Sequence, residues 1–234
     1  MSLASQVKAI PGMRAVVRPA WRWFRQASRH GRDRLQDWWL GIDTTAPGGR
    51  LAPAFADDTG YEPLSYAAIR RLHRFLQVTA DDTLFDVGCG KGRILCCFAR
   101  WPIGKCVGIE RVADYVVAAR NNAARVAGRR APIEVRQQEA AEADYSEATI
   151  ILLFNPFGLD TMRRVADRIR LSWESRPRRL RIAYVNALSE EVWEEADWLR
   201  TTHTFVLPFR GKWKMKAVIW EAGSILSEVS RKAG

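Results

Sequence analysis

The sequence predicts an α/β fold: a doubly wound, mostly parallel seven-strand sheet with helices on both faces, an antiparallel hairpin at its C-terminal end and a helical extension at its N-terminus. Three observations lead there. Short apolar runs alternate with amphipathic segments through residues 63–223, and strands that are apolar throughout need cover on both faces of a parallel sheet. A glycine-rich turn, Gly88-Cys89-Gly90-Lys91-Gly92, follows the first such strand, where open parallel sheets hold ligands. The last two strand-like runs are separated only by Arg210-Gly211-Lys212, which implies an antiparallel pair at a sheet edge.

Residues 1–40 are basic and rich in Trp. Arg14, Arg18, Arg22, Arg25, Arg29 and Arg32 recur at spacings of three or four, a stripe about 80° wide at about 100° per residue. Val17, Ala20, Trp21, Phe24, Leu35 and Trp38 fall on the other side. Pro19 suits a first helical turn, so the helix is expected to start near it, with Gly31 bending or dividing it. Such a helix can pack its aromatic side on the following domain, lie on an anionic membrane surface, or bind nucleic acid. All three readings stay open. Residues 41–62, dense in Gly, Pro, Asp and Thr, read as an irregular connector or lid.

The main domain spans residues 63–223. PLSYAAIRRLHRFLQ opens at Pro63 and sets Ile69, Leu72, Phe75 and Leu76 on one helical stripe. TLFDV is the first strand, RILCCFARW a helix, KCVGIE a strand, and DYVVAARNNAARVAG a helix ended by Gly128. IEVRQQ and the fully apolar TIILLFN are strands, followed by the helix LDTMRRVADRIRLSW. RIAYVNA is a strand, SEEVWEEADWL a helix, and THTFVLPF and WKMKAVIWEA the closing hairpin. Residues 224–234 form a polar tail.

Composition narrows the function classes. With 234 residues and 47% hydrophobic content the chain can bury a core. No run approaches the ~18 apolar residues of a membrane-spanning helix, and the N-terminus lacks a signal-peptide pattern. Cys89, Cys96, Cys97 and Cys106 sit in or beside apolar segments without C-x-x-C spacing, so buried free thiols are expected rather than disulfides or zinc. His30, His73 and His203 show neither metal nor triad spacing, and no metal is expected. A cytoplasmic location follows, with peripheral attachment to a membrane left open by residues 1–40. The net charge of +11 (37 basic, 26 acidic residues) suits an anionic partner or a solvated arginine-rich surface. On the hairpin, Arg210, Lys212 and Lys214 interleave with Phe209 and Trp213, fitting an acidic or nucleic-acid substrate or a protected edge strand.

The glycine turn is the chemical centre. A dinucleotide fingerprint needs G-x-G-x-x-G, but Arg93 stands where the third glycine belongs, and no G-x-x-x-x-G-K-[ST] loop is present. Asp86 before the turn would face a bound pyrophosphate, whereas a cationic ligand would welcome it. S-adenosylmethionine has a sulfonium, an ammonium and no phosphate, and Gly88, Gly90 and Gly92 would let the backbone approach its methionine tail. Glu110, ending the next strand with Arg111 beside it, can accept from both ribose hydroxyls. Glu139 or Glu142 could receive the adenine amino group, with Ala140 or Ala141 leaving room beside the ring.

The series D-V-G-C-G-K-G-R, G-I-E, E-A and F-N-P-F-G resembles the motifs of class I, seven-strand, Rossmann-like S-adenosylmethionine-dependent methyltransferases over about residues 61–223. Uncharacterised bacterial members with G-I-D-T and Y-E-P upstream, here Gly41 to Thr44 and Tyr61 to Pro63, are the most similar. Some seven-strand protein lysine methyltransferases are more loosely similar. The resemblance implies a bacterial-type transferase with S-adenosylmethionine as cofactor and S-adenosylhomocysteine as product. It places Asp86, Gly88, Cys89, Gly90 and Gly92 on the cofactor, together with Glu110, Arg111, Glu139, Ala140 and Asn155. Asn155-Pro156-Phe157-Gly158 departs from the [Asn/Asp]-Pro-Pro-[Tyr/Phe] turn of amino-group methyltransferases. Asn155 can still accept from a substrate N–H and Phe157 can still form a wall, with Tyr61 as a lid. The acceptor is then a nitrogen of a protein lysine, a nucleobase or a small amine. A catalytically silent cofactor-binding regulator, or a nucleic-acid or membrane adaptor acting through residues 1–40, are the alternatives.

Overall fold

The computed structural model describes residues 31–46, 60–208 and 214–223. Its strands are β1 (Thr83–Val87), β2 (Lys105–Glu110), β3 (Ile133–Gln137), β4 (Ile150–Phe154), β5 (Arg181–Val185), β6 (Leu199–Pro208) and β7 (Lys214–Ala222). They form a single sheet in the order β3-β2-β1-β4-β5-β7-β6. The first five run parallel, and β7 pairs antiparallel with β5 and β6. Between them lie α1 (residues 31–40), α2 (Tyr66–Leu76), α3 (Arg93–Phe98), α4 (Ala113–Arg125), α5 (Leu159–Ser175) and α6 (Glu191–Glu194). The doubly wound sheet and the hairpin expected from the sequence are both present.

Alternation along the strands divides the core. Leu84, Cys106, Ile150 and Ala183 pack under α1–α4, while Phe85, Val107, Ile151 and Ile182 pack under α5 and α6. Asp86 shares the parity of Leu84 and so belongs to the first side. The order of connections reverses between β1 and β4, so the C-terminal ends of these two strands flank the crevice where such sheets bind ligands. On the outer strand β6 the Phe205 ring stacks on Phe75 of α2, 4.0 Å between centroids, which covers that edge.

Several local expectations are corrected. α2 starts at Tyr66 rather than Pro63, because Ser65 caps it by accepting from the Ala68 N–H at 3.3 Å. α4 ends at Arg125 instead of running to Gly128: the Ala127 N–H leaves the helix and donates to the Leu40 carbonyl, 2.9 Å away. The helix expected over SEEVWEEADWL shrinks to the single turn α6. Trp193 and Trp198 are both buried, yet a continuous helix would set residues five apart about 140° apart. The chain turns to bury both, and the crowded acids Glu190, Glu191, Glu194 and Glu195 give the helix no help.

The largest difference concerns α1. Leu35 and Trp38, which the helical spacing sets opposite the arginine stripe and which the packed reading would bury, are 67% and 80% exposed, whereas Asp37 and Leu40 are buried. Polar partners account for the reversal. Asp37 accepts from the Thr44 N–H at 2.9 Å, from the Thr44 hydroxyl and from the Tyr66 hydroxyl, and pairs with Arg93 at 3.4 Å. The arginine stripe at positions 14–29, the Pro19 start, most of the connector (47–59), the hairpin turn (209–213) and the tail (224–234) lie outside the described residues.

Candidate active site

The glycine turn leaves the end of β1 in a conformation few other residues adopt. Gly88, Gly90 and Gly92 have φ of 76°, 52° and 79°, all left-handed. A Cβ on Gly88 would stand 3.0 Å from the Pro156 Cβ, and one on Gly90 would stand 2.5 Å from the Tyr61 ring. The turn is thereby closed by the Asn155-Pro156 corner on one side and by Tyr61 on the other. Gly92 does not line the cleft; an added Cβ there would press on Ala119 of α4 at 3.2 Å, so this glycine allows helix packing. Gly108 in β2, unnoticed in the sequence, makes room beneath the turn, because a Cβ there would lie 2.7 Å from the Cys89 sulfur. Gly90→Ala is therefore expected to displace Tyr61 and to cost about 1–3 kcal/mol from backbone strain, read as a lower urea midpoint.

The cleft beside the turn gathers Asp86, Gly88, Cys89, Gly90, Glu110, Arg111, Glu139, Ala140, Asn155, Phe157 and Tyr61, every site residue expected from sequence except Gly92. Of the alternatives left open by the sequence, Glu139 and Ala140 line it and Glu142 and Ala141 do not. Sequence reading missed Tyr115, Gln138, Val112 and Thr161 on its wall. Tyr115 carried a usable signal, standing one turn into the helix that follows Glu110. Its ring packs against Tyr61, 5.1 Å between centroids.

Electrostatics single out Asp86. It is 2% exposed, and its Oδ2 has no hydrogen-bond partner. Burial, and then repulsion from Glu110, push its carboxyl up to about 8. Buried polar atoms are nearly always paired, so an orphan carboxylate oxygen lining a cleft marks a place for a donor from outside the chain. Glu110 is held differently. Its Oε2 accepts from the Gly90 N–H at 2.8 Å, and its Oε1 from the Arg111 and Val112 N–H groups at 2.9 Å. Backbone thus fixes this carboxylate at the end of β2. Arg111 reaches Glu139 across the rim at 3.6 Å.

Tyr61 donates its hydroxyl to the Thr44 carbonyl at 2.7 Å, and burial raises its pKa. What it offers the cleft is a ring. Burial, with Asp86 and Glu110 adding to it, raises the Cys89 thiol well above its usual range, which removes it as a thiolate nucleophile. All four cysteines are buried and free. Among the described residues no cluster of three or more His, Cys, Asp and Glu could hold a metal.

Asn155 follows β4 with φ +45°, and Asn186 follows the neighbouring β5 with φ +57°. The Asn186 Nδ2 donates to the Asn155 Oδ1 at 2.7 Å, which fixes the amide's orientation. Arg93, the residue in place of a third glycine, is 3% exposed. Its Nε donates to the Thr44 hydroxyl at 2.6 Å and its guanidinium pairs with Asp33 and Asp37. Burial opposes its charge, but the two aspartates outweigh it and raise its pKa. Through Thr44 this arginine ties α1 to Tyr61 and hence to the wall of the cleft.

No protein-family model matches the chain. A curated protein-lysine N-methyltransferase from Saccharolobus islandicus (strain REY15A) is 32% identical over 99 residues, 40% of this chain and 58% of that protein. The chain thus spans less than two thirds of that relative's length. Among solved structures, an RNA methyltransferase from Salinibacter ruber in complex with S-adenosyl-L-homocysteine is similar with a TM-score of 0.51 and 23% identity, covering 69% of this chain and 94% of that one. A magnesium protoporphyrin IX methyltransferase from Synechocystis PCC 6803 with bound S-adenosylmethionine has a TM-score of 0.52 and 12% identity, covering 70% and 87%. The fold is the one these methyltransferases have. Among the described residues no helix is long and apolar enough to cross a membrane.

Proposed function

We propose that the protein is an S-adenosylmethionine-dependent methyltransferase acting on an amino nitrogen, with a protein lysine as the acceptor. The observation that carries the reading is the unpartnered, buried Asp86 Oδ2 beside a glycine turn that lacks the pyrophosphate-binding fingerprints. A ligand that brings an ammonium to Asp86 supplies the missing donor. Glu110, fixed by three backbone N–H groups, would accept from the ribose hydroxyls, and Ala140 with Glu139 would receive the adenine. The bound cofactor supplies an electrophilic methyl on a sulfonium.

The chain's own contribution is positioning. Displacement at a sulfonium needs a lone pair in line with the methyl group and little else. The Asn155 Oδ1, whose orientation the Asn186 amide fixes, would accept an N–H of the acceptor amine. Phe157 and Tyr61 wall the channel and exclude water. The Saccharolobus relative, itself a protein-lysine N-methyltransferase, supports lysine as the acceptor. Glu62, on the cleft wall, suits the approach of a cationic side chain. The lysine ammonium gives one proton to solvent before its nitrogen has the lone pair that takes the methyl group, and the sulfonium leaves as the neutral thioether.

The test is incubation with methyl-labelled cofactor and a protein extract, an RNA pool and a mixture of small amines, followed by mass spectrometry. Methyl-lysine in peptides is expected. Label confined to RNA or to small amines would move the acceptor, and no label beside intact cofactor binding would leave a silent regulator. Replacing Asn186 with Ala is expected to lower kcat about tenfold or more, because misplacing a positioning group by about 1 Å can cost up to about a hundredfold, with cofactor affinity unchanged in calorimetry.

A further inference from the structure

We infer that the outward face of α1 is a docking surface for an anionic lipid bilayer. Among the described residues, Leu35, Trp38 and Trp39 are 67%, 80% and 63% exposed, three large apolar side chains within five positions of one helix. The other exposed large apolar residues are scattered over the surface, which is ordinary. On a helical wheel Trp38, Leu35 and Trp39 occupy one continuous arc, with Arg34 on one side of it and Arg32 on the other. Two indoles and a leucine between arginines match the boundary between headgroups and acyl chains.

The face is fixed outward. The opposite side of α1 is engaged by Arg93, Thr44 and Tyr66 through Asp33 and Asp37, and Leu40 is fully buried. A roll of the helix to hide the tryptophans would strand those charges. The acids of α1 are thus turned inward, and its basic residues face out.

The surroundings are basic as well. The Leu40 carbonyl binds the Ala127 N–H, which brings the loop with exposed Arg129 and Arg130 to the end of α1. Arg100 donates to the Ala127 carbonyl at 2.9 Å and lies 5.1 Å from the centre of the Trp39 ring. Cations at the edge of an apolar patch attract anionic headgroups within a Debye length. The sequence before α1 repeats the pattern: Val17, Trp21 and Phe24 fall at the helical spacing of Leu35 and Trp38, beside the arginine stripe. Apart from the two indole N–H groups the centre of the patch carries no hydrogen-bonding side chain, and its arginines stand only at the edges. This arrangement suits apolar insertion between headgroups better than a phosphate backbone.

The experiment is co-sedimentation of the full chain with vesicles of phosphatidylcholine alone or mixed with phosphatidylglycerol, alongside duplex DNA and RNA in a retention assay. Binding to the mixed vesicles is expected, roughly tenfold weaker on phosphatidylcholine alone, with a blue shift of Trp fluorescence. The double substitution Trp38→Ala, Trp39→Ala is expected to cut binding to the mixed vesicles roughly tenfold while circular dichroism and S-adenosylhomocysteine binding stay as in the parent. Arg100→Gln with Arg130→Gln should weaken only the part that depends on phosphatidylglycerol. No sedimentation with mixed vesicles, unchanged binding in the double Trp variant, or tighter retention of nucleic acid would each overturn the proposal.

Discussion

Asp86→Asn is expected to weaken S-adenosylmethionine binding by roughly ten- to a hundredfold while making the unliganded protein more stable at pH 8. Both effects come from one buried carboxyl. Burial and Glu110 raise it to about 8, against about 3.9 for an aspartate in an unfolded chain. A group whose folded pKa is raised contributes most stability below the unfolded value and loses that contribution as pH climbs through the folded one. Native Asp86 therefore weakens the fold progressively between about pH 4 and 8, and the Asn variant does not. Its stability advantage should grow across that window and level off above it. A denaturant series at pH 5 and pH 8 reads this directly.

Binding follows the opposite logic. The charged form of Asp86 is the one that meets the cofactor's ammonium, so below its pKa a proton must leave first. Affinity of the parent protein should rise by up to about tenfold between pH 6 and 7, with proton release detectable in buffers of different ionisation enthalpy. The Asn variant forfeits a charge-assisted contact worth about 1.5–3 kcal/mol, and its residual affinity should lack that slope. Equal affinity in the two proteins, or a flat profile from pH 6 to 7, would refute the role given to Asp86.

Asp37→Ala is expected to destabilise the fold by about 3–5 kcal/mol, the range found when one partner of a buried pair is removed. Asp37 is 3% exposed, and its loss strands the Arg93 guanidinium, the Thr44 hydroxyl and the Tyr66 hydroxyl together. Asp33, 3.1 Å from Arg93 and partly exposed, would retain some of the compensation. The double variant Asp37→Leu, Arg93→Met removes both charges and should lose less than the single variant, since it leaves no buried cation with only the partly exposed Asp33 to balance it. Because Thr44 also receives the Tyr61 hydroxyl, cofactor affinity should fall along with stability. A loss below about 1 kcal/mol in urea would show that the cluster is not what holds α1 in place.

The sheet was legible because short, largely apolar strands such as β4 and β5 alternate with amphipathic helices, and a glycine turn follows β1. The cleft was legible for a related reason: Asp86, Gly88, Gly90 and Glu110 sit at strand ends whose order the alternation already implies. Pairings between distant segments left no such trace. Nothing in the periodicity of α1 shows that Asp37 will find Arg93, 56 positions away, and so the wheel alone did not tell which face of α1 packs on the domain. Gly92 looked like a ligand contact but accommodates Ala119 of α4, a distinction that needs coordinates. Asn186 was visible as an Asn after a strand, as Asn155 was, yet only the adjacency of β4 and β5 brings their amides together. The short α6 failed for want of a test in sequence for where two tryptophans must go.

The central claim is that the cleft at the end of β1 holds an S-adenosyl nucleoside. Calorimetric titration of the full chain with S-adenosylhomocysteine at pH 8, beside NADH and ATP, tests it most directly. The expected result is a saturable single-site isotherm for S-adenosylhomocysteine alone, lost in Gly88→Val, whose side chain would enter the space of Pro156. No heat from S-adenosylhomocysteine, undiminished binding in Gly88→Val, or a dinucleotide bound in its place would contradict it.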